Sequence, residues 1–229
     1  MADFIIKELE GTRFVEVHMN DETVRLEAGA FSYLQGNVHI HSKVIPSIGV
    51  VFRSIMADEA IFRPTYSGSG TITLESSLGG FHVLELDGET WFLNRGAYWA
   101  SEEGVDVSFH REPFLTSYWA GEGIVYLLTR VRGVGKVVVT TRGPTEPVHL
   151  KKGDRLVADG RQVIARTAGV KFSIERPTRN WMGLFTSGEG WVRVYEGAGK
   201  VLLNPAPYWR YRVYSERAND ASLLLRTTD

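Results

Sequence analysis

Apolar and polar residues alternate along most of the chain. Val105, Val107 and Phe109 alternate with Asp106, Ser108 and His110, and Val170, Phe172 and Ile174 alternate with Lys171, Ser173 and Glu175. Period-two alternation in short runs bounded by Gly, Pro or Asp marks strands with one buried face. No long stretch carries helical periodicity, so the pattern predicts an all-β chain with almost no helix. Any helix is expected as a short turn near Ala57–Ala60 or Glu216–Ala221. Asp87-Gly88 and Arg142-Gly143-Pro144 have the chemistry of tight turns and predict antiparallel hairpins, the first joining Gly80–Leu86 to Thr90–Leu93.

Glycines punctuate these strands in a recurring order. The pattern L-x-x-G-[AD] occurs at Leu26–Ala30, Leu93–Ala97 and Leu150–Asp154. A glycine opens the apolar runs that begin at Gly11, Gly80, Gly135 and Gly199, and G-x-G precedes a strand at Gly68/Gly70, Gly121/Gly123 and Gly188/Gly190. Turns and bulges need positive φ or close backbone approach, which glycine supplies. An aromatic, Pro-containing segment ends at Tyr66, Trp119 and Phe185 before the successive G-x-G motifs, too apolar for a solvated tether. The ordered markers divide one all-β domain, residues 1–229, into approximate modules 1–66, 67–120, 121–187 and a truncated 188–229. The expected architecture is an antiparallel β-sandwich or flattened barrel of two twisted sheets.

Composition narrows the chemistry. The hydrophobic share of 43% is enough for a sizeable core, and a net charge of −1 argues against a surface built throughout for nucleic acid or acidic membrane. With no cysteine, disulfides, thiolate catalysis and cysteine-ligated metal are excluded. MADFIIKELEG is neither a secretory signal nor a transit peptide, and no apolar run approaches the roughly 20 residues of a membrane span. These features predict a soluble, cytoplasmic protein.

A resemblance follows from the glycine motifs. G-E-G followed by G-x-G-K-V within Gly188–Leu203, its counterpart within Gly121–Val139, and the L-x-x-G-A turns resemble the altered inheritance of mitochondria protein 24 family, with its bacterial and archaeal members. The resemblance covers nearly the whole chain. It implies a β-sandwich like that of the tryptophan RNA-binding attenuation protein (TRAP-like), within the double-stranded β-helix class, and a homo-oligomer. The mitochondrial relatives are associated with the inner membrane. The resemblance transfers no catalytic or binding residue.

His39-Ile40-His41 is the most suggestive constellation, because histidines two apart on a strand point the same way and can share a metal. A cupin-like metalloenzyme would place a glutamate three or four residues on, where this chain has Val44 and Ile45. His39 and His41 also align with Asp106 and Ser108, on the outward strand face, so no metal and no cofactor is expected. Gly133-Val134-Gly135-Lys136 lacks the Ser or Thr of a phosphate loop. Glu102-Glu103 is expected as a solvated pair in the turn before Gly104. On a strand, Tyr208, Arg210, Arg212 and Tyr214 share one face, where rings and guanidinium groups could stack single-stranded bases or cover a subunit interface. Tyr66, Trp119 and Phe185 are candidates for an aromatic rim, otherwise for packing between sheets.

No catalytic signature emerges. The sequence therefore points to a non-enzymatic, self-associating scaffold or interaction protein with a protein or membrane-surface partner. An RNA-binding module is the first alternative and a cupin-like metalloenzyme the second.

Overall fold

A computed structural model describes residues 1–41, 63–111, 127–159, 162–175 and 192–206. Within them lie fourteen strands and no helix: β1 (Asp3–Leu9), β2 (Thr12–Leu26), β3 (Phe31–His41), β4 (Thr65–Leu74), β5 (Phe81–Leu93), β6 (Tyr98–Glu102), β7 (Val105–Arg111), β8 (Leu127–Thr140), β9 (Glu146–Leu150), β10 (Arg155–Asp159), β11 (Val163–Thr167), β12 (Lys171–Glu175), β13 (Val192–Glu196) and β14 (Gly199–Leu203). Both turns where a helix was expected fall outside the described residues. No helix among the described residues is long and apolar enough to cross a membrane.

Every strand pair is antiparallel. An eleven-stranded sheet runs β3-β4-β2-β6-β8-β5-β11-β14-β9, with β1 added to β2 and β7 to β8; β10-β13-β12 form a second sheet. The sheets do not close into a barrel, and the all-β sandwich architecture expected from the alternation is the one observed. The apolar positions gather in three clusters. The first centres on Val15, Val17, Leu26, Ile72 and Leu74, the second on Leu93, Val105, Val131 and Val137, and the third on Val170, Tyr195 and Val201. Strand β6 ties the first two together, pairing β2 through Ala100–Glu102 and β8 through Tyr98–Ser101.

The Asp87-Gly88 hairpin does not form. β5 runs through these residues, and the register against β8 slips between Asp87↔Val134 and Thr90↔Arg132, so two residues oppose one. The positive φ of 86° at Gly88 makes the site a bulge, and the Glu89 carboxylate accepts the Asp87 N–H at 2.9 Å. β2 does the same: Asn20 and Asp21 bulge opposite Ser69, and the Glu22 carboxylate accepts the Asn20 N–H at 3.0 Å. A turn-forming dipeptide therefore bends a long strand here instead of ending it.

The three L-x-x-G-[AD] motifs share one turn. Ala30, Ala97 and Asp154 each donate their N–H to the carbonyl three residues earlier, on Glu27, Asn94 and Lys151, at 3.1, 3.0 and 3.0 Å. Glycine at the third position fits the type II pattern.

Candidate functional site

The open ends of the large sheet differ in chemistry. β9, at one end, is short and begins Glu146-Pro147. β3, at the other, is eleven residues long and contains no Asp, Glu, Lys, Arg or Pro. Native sheets usually guard open edges with charge, proline or brevity, because unpaired N–H and C=O groups invite another strand. The remaining strands with an open side in the described fold all carry charge: Asp3, Lys7 and Glu8 on β1, Asp106 and Arg111 on β7, Arg155 on β10, and Lys171 and Glu175 on β12. Among the described residues, β3 alone presents a long uncharged edge, and no described strand pairs with its outer side.

Glycines fix how β3 meets β4. Gly36 pairs with Gly70 and Val38 with Gly68. A Cβ on Gly68 would stand 2.2 Å from the Asn37 carbonyl oxygen, and one on Gly70 2.3 Å from that of Gln35. The G-x-G motif is thus the inner part of a strand and not its opening. It draws the two backbones together and holds β3 in register.

The inner face of β3 directs Leu34 and Val38 onto the first cluster, with Phe31 stacked on buried Tyr66 at 5.7 Å. Tyr66 is therefore a core residue and stands at no rim. The outer face carries Tyr33, Gln35, Asn37, His39 and His41, all exposed, above the Thr65, Ser67, Ser69 and Thr71 row of β4. A His41 ring nitrogen lies 3.0 Å from the Ser67 hydroxyl, and the Asp21 N–H donates to Ser69 at 2.8 Å. Ile40, expected inward, is 50% exposed because it lies near the end of an edge strand; Tyr33 is 54% exposed. His39 and His41 share the solvent face, and no group of three or more metal-ligating residues occurs among the described residues.

Lys136 lies within β8 and its ammonium pairs with Asp3 at 3.2 Å, so Gly133–Lys136 forms no phosphate cradle. Glu102 is not solvated: it is buried at the end of β6, where its carboxylate accepts the Lys136 N–H at 2.8 Å. The close packing of Gly135 against this carboxylate explains the burial that the turn-like sequence hid. Tyr208, Arg210, Arg212, Tyr214, Trp119 and Phe185 lie outside the described residues.

Arginine interleaved with rings does occur, at a place the sequence reading missed. Phe92 lies 4.2 Å from the His110 ring of β7, across the intervening β8, and 4.9 Å from the Arg166 guanidinium, while Arg193 stands 5.9 Å from Phe172. Arg166 and Arg193 are both buried. Desolvation lowers the Arg166 guanidinium to about 10, and it donates to the Val170 carbonyl at 2.7 Å. The space lined by Phe92, Arg166, Phe172 and Tyr195 is about 10 Å³, which leaves no room for a base.

Comparison with known proteins places these features in a lineage. An uncharacterised protein of Streptococcus pyogenes serotype M6 is 23% identical over 191 residues, covering 79% of this chain and 76% of its own. A crystal structure of a Streptococcus pyogenes protein, 20% identical, superposes with a TM-score of 0.71 over 95% of this chain and 100% of that one. The family described as Mitochondrial biogenesis AIM24 matches residues 7–206. With almost the entire described fold inside that match, the chain belongs to this family.

Proposed function

We propose that this protein is a self-associating, non-enzymatic interaction module, and that β3 is the edge through which it associates. The observation that carries the reading is the contrast at the sheet's ends: charge or proline on every other open strand, neither on β3. A second strand added there satisfies main-chain groups along the edge without burying a charge. The candidate metal pair His39 and His41 lies on the same uncharged surface, where hydrogen bonding and ring contact serve an interface equally well.

The test is light scattering coupled to size exclusion across a hundredfold range of concentration. The parent is expected above its monomer mass of 25.6 kDa. Gln35→Lys/Asn37→Lys, which sets like charges against each other on the edge, is expected to return it to the monomer. A parent that stays monomeric at every concentration, or an oligomer indifferent to both lysines, rejects the reading.

A further inference from the structure

β3 is close to self-complementary about its central residue. From Gly36 outward the flanking residues are Gln35 and Asn37, then Leu34 and Val38, then Tyr33 and His39. Each pair matches in kind: carboxamide with carboxamide, aliphatic with aliphatic, ring with ring. Two copies of this strand run antiparallel about a two-fold axis would set the members of each pair opposite one another, since a two-fold axis pairs residue i with j and j with i. Building on the proposed self-association, we infer that a second copy of this chain docks edge to edge on β3, with the two-fold axis at Gly36, to give a closed dimer.

Register follows from the faces. Leu34 and Val38 pack inward while Gln35, Asn37 and His39 point outward. A slip by one residue would put the inward set of one copy opposite the outward set of the other. Every register with its axis on a residue preserves the faces, and those that keep the most of the eleven-residue strand paired have it at residue 35, 36 or 37. With the axis at 35, Leu34 opposes Gly36, and with the axis at 37, Val38 opposes Gly36; each leaves an aliphatic side chain facing a residue that has none. With the axis at 36, Leu34 meets Val38 on both sides of the dyad and Gly36 meets Gly36. Directly opposed side chains are the unit of sheet stabilisation, so this register gains most. A side chain at Gly36 is excluded in any case, because its Cβ would lie 2.7 Å from backbone atoms of Ser69 and Gly70.

Stoichiometry follows from the other edges. Head-to-tail addition would pair β3 with β9, where Glu146 and Pro147 oppose it. The two-fold pair instead consumes both uncharged edges, so growth stops at two copies.

The chain has no cysteine, which makes crosslinking a clean test. Gln35→Cys and Asn37→Cys are made separately, both on exposed side chains, and oxidised alone and as an equimolar mixture. Directly opposed strand residues have Cα atoms about 4.5–5.5 Å apart, within disulfide range. The expected result is a covalent dimer in the mixture at several times the yield of either variant alone. Self-crosslinking of Gln35→Cys alone would put the axis at 35, and of Asn37→Cys alone at 37; either overturns this register. Dimeric protein by light scattering that fails to crosslink in all three samples overturns docking through β3 while leaving self-association standing. A monomeric parent overturns both.

Discussion

Glu22 and Glu89 perform the same task in two successive parts of the chain. Each carboxylate accepts the N–H of the residue two before it, across a bulge, and each is paired with a cation brought from elsewhere. For Glu22 the cation is the Met1 amino group; for Glu89 it is Lys200, at 2.9 Å. The correspondence extends along both strands: Glu22-Thr23-Val24-Arg25-Leu26 precedes one L-x-x-G turn as Glu89-Thr90-Trp91-Phe92-Leu93 precedes the next. The bulge re-aims a long strand, and the acid satisfies the N–H that the bulge removes from the ladder.

This arrangement makes Glu89 a source of acid sensitivity. Its hydrogen bond from Lys200, reinforced by that from Asp87, holds its carboxyl down at about 2, against an ordinary value of 4.5. A carboxyl depressed on folding stabilises the native state above its unfolded value and loses that contribution as pH falls towards its folded one. Glu89→Gln is expected to cost about 0.5–1 kcal/mol at neutral pH, the range for a partly exposed ion pair. Urea unfolding of parent and variant should show the gap closing between pH 4.5 and about 2. A gap independent of pH would mean that the charge contributes nothing.

The glycines of β4 and of the turns should respond differently to a single methyl group. Gly68 has φ +132° and its Cβ would collide with the Asn37 carbonyl at 2.2 Å, whereas Gly29 has φ +83° with nothing within 4 Å. Gly29→Ala is expected to cost about 1–2 kcal/mol, the strain of left-handed backbone alone. Gly68→Ala adds overpacking of about 1–3 kcal/mol against backbone that cannot turn aside. Equilibrium denaturation of the two variants measures the difference, and equal losses would show that β3 and β4 separate easily.

The all-β class and its antiparallel pairing were legible in the sequence, because alternation such as Val105/Val107 reports a buried face directly. The L-x-x-G turns were legible for the same reason: the glycine is needed locally. Asp87-Gly88 misled because a hairpin and a bulge ask for the same positive φ, and only the partner strand decides between them. Glu102 misled because its burial comes from Gly135, thirty-three residues away in the chain. The β3 edge was invisible for a different reason. An uncharged strand is unremarkable until the topology places it last in the sheet, and strand order is set by non-local pairing that no local pattern encodes.

His82 should titrate below the ordinary histidine value. It is half-buried on β5, with a ring nitrogen 2.9 Å from the Thr145 hydroxyl, and burial lowers it from 6.5. The folded state therefore favours the neutral ring, and the unfolded chain takes up the proton first. Stability contributed by the neutral ring is present above pH 6.5 and declines as pH falls below it. Proton NMR of the ring should place the midpoint below 6.5 in the native protein, and a midpoint at or above that value would show that the ring is solvated.

Tyr98 joins the first two parts of the sheet, and its hydroxyl is the testable point of contact. The ring is buried beneath the Arg63 guanidinium at 4.4 Å, which in turn pairs with Glu27 at 2.6 Å. The hydroxyl lies 2.9 Å from the Ser101 hydroxyl and donates to the Arg25 carbonyl at 3.2 Å. Burial pushes the phenol up to about 12, against the opposing pull of the Ser101 hydrogen bond. Burial raises Tyr66 as well, so ultraviolet titration of the folded protein should show fewer tyrosinates at pH 11 than after unfolding, a shortfall that Tyr98→Phe reduces. The same substitution leaves the Arg25 carbonyl without this donor and is expected to cost about 1–2 kcal/mol. A Tyr98→Phe variant as stable as the parent would show that the hydroxyl only fills space, and that β2 and β6 are held by their main-chain ladder alone.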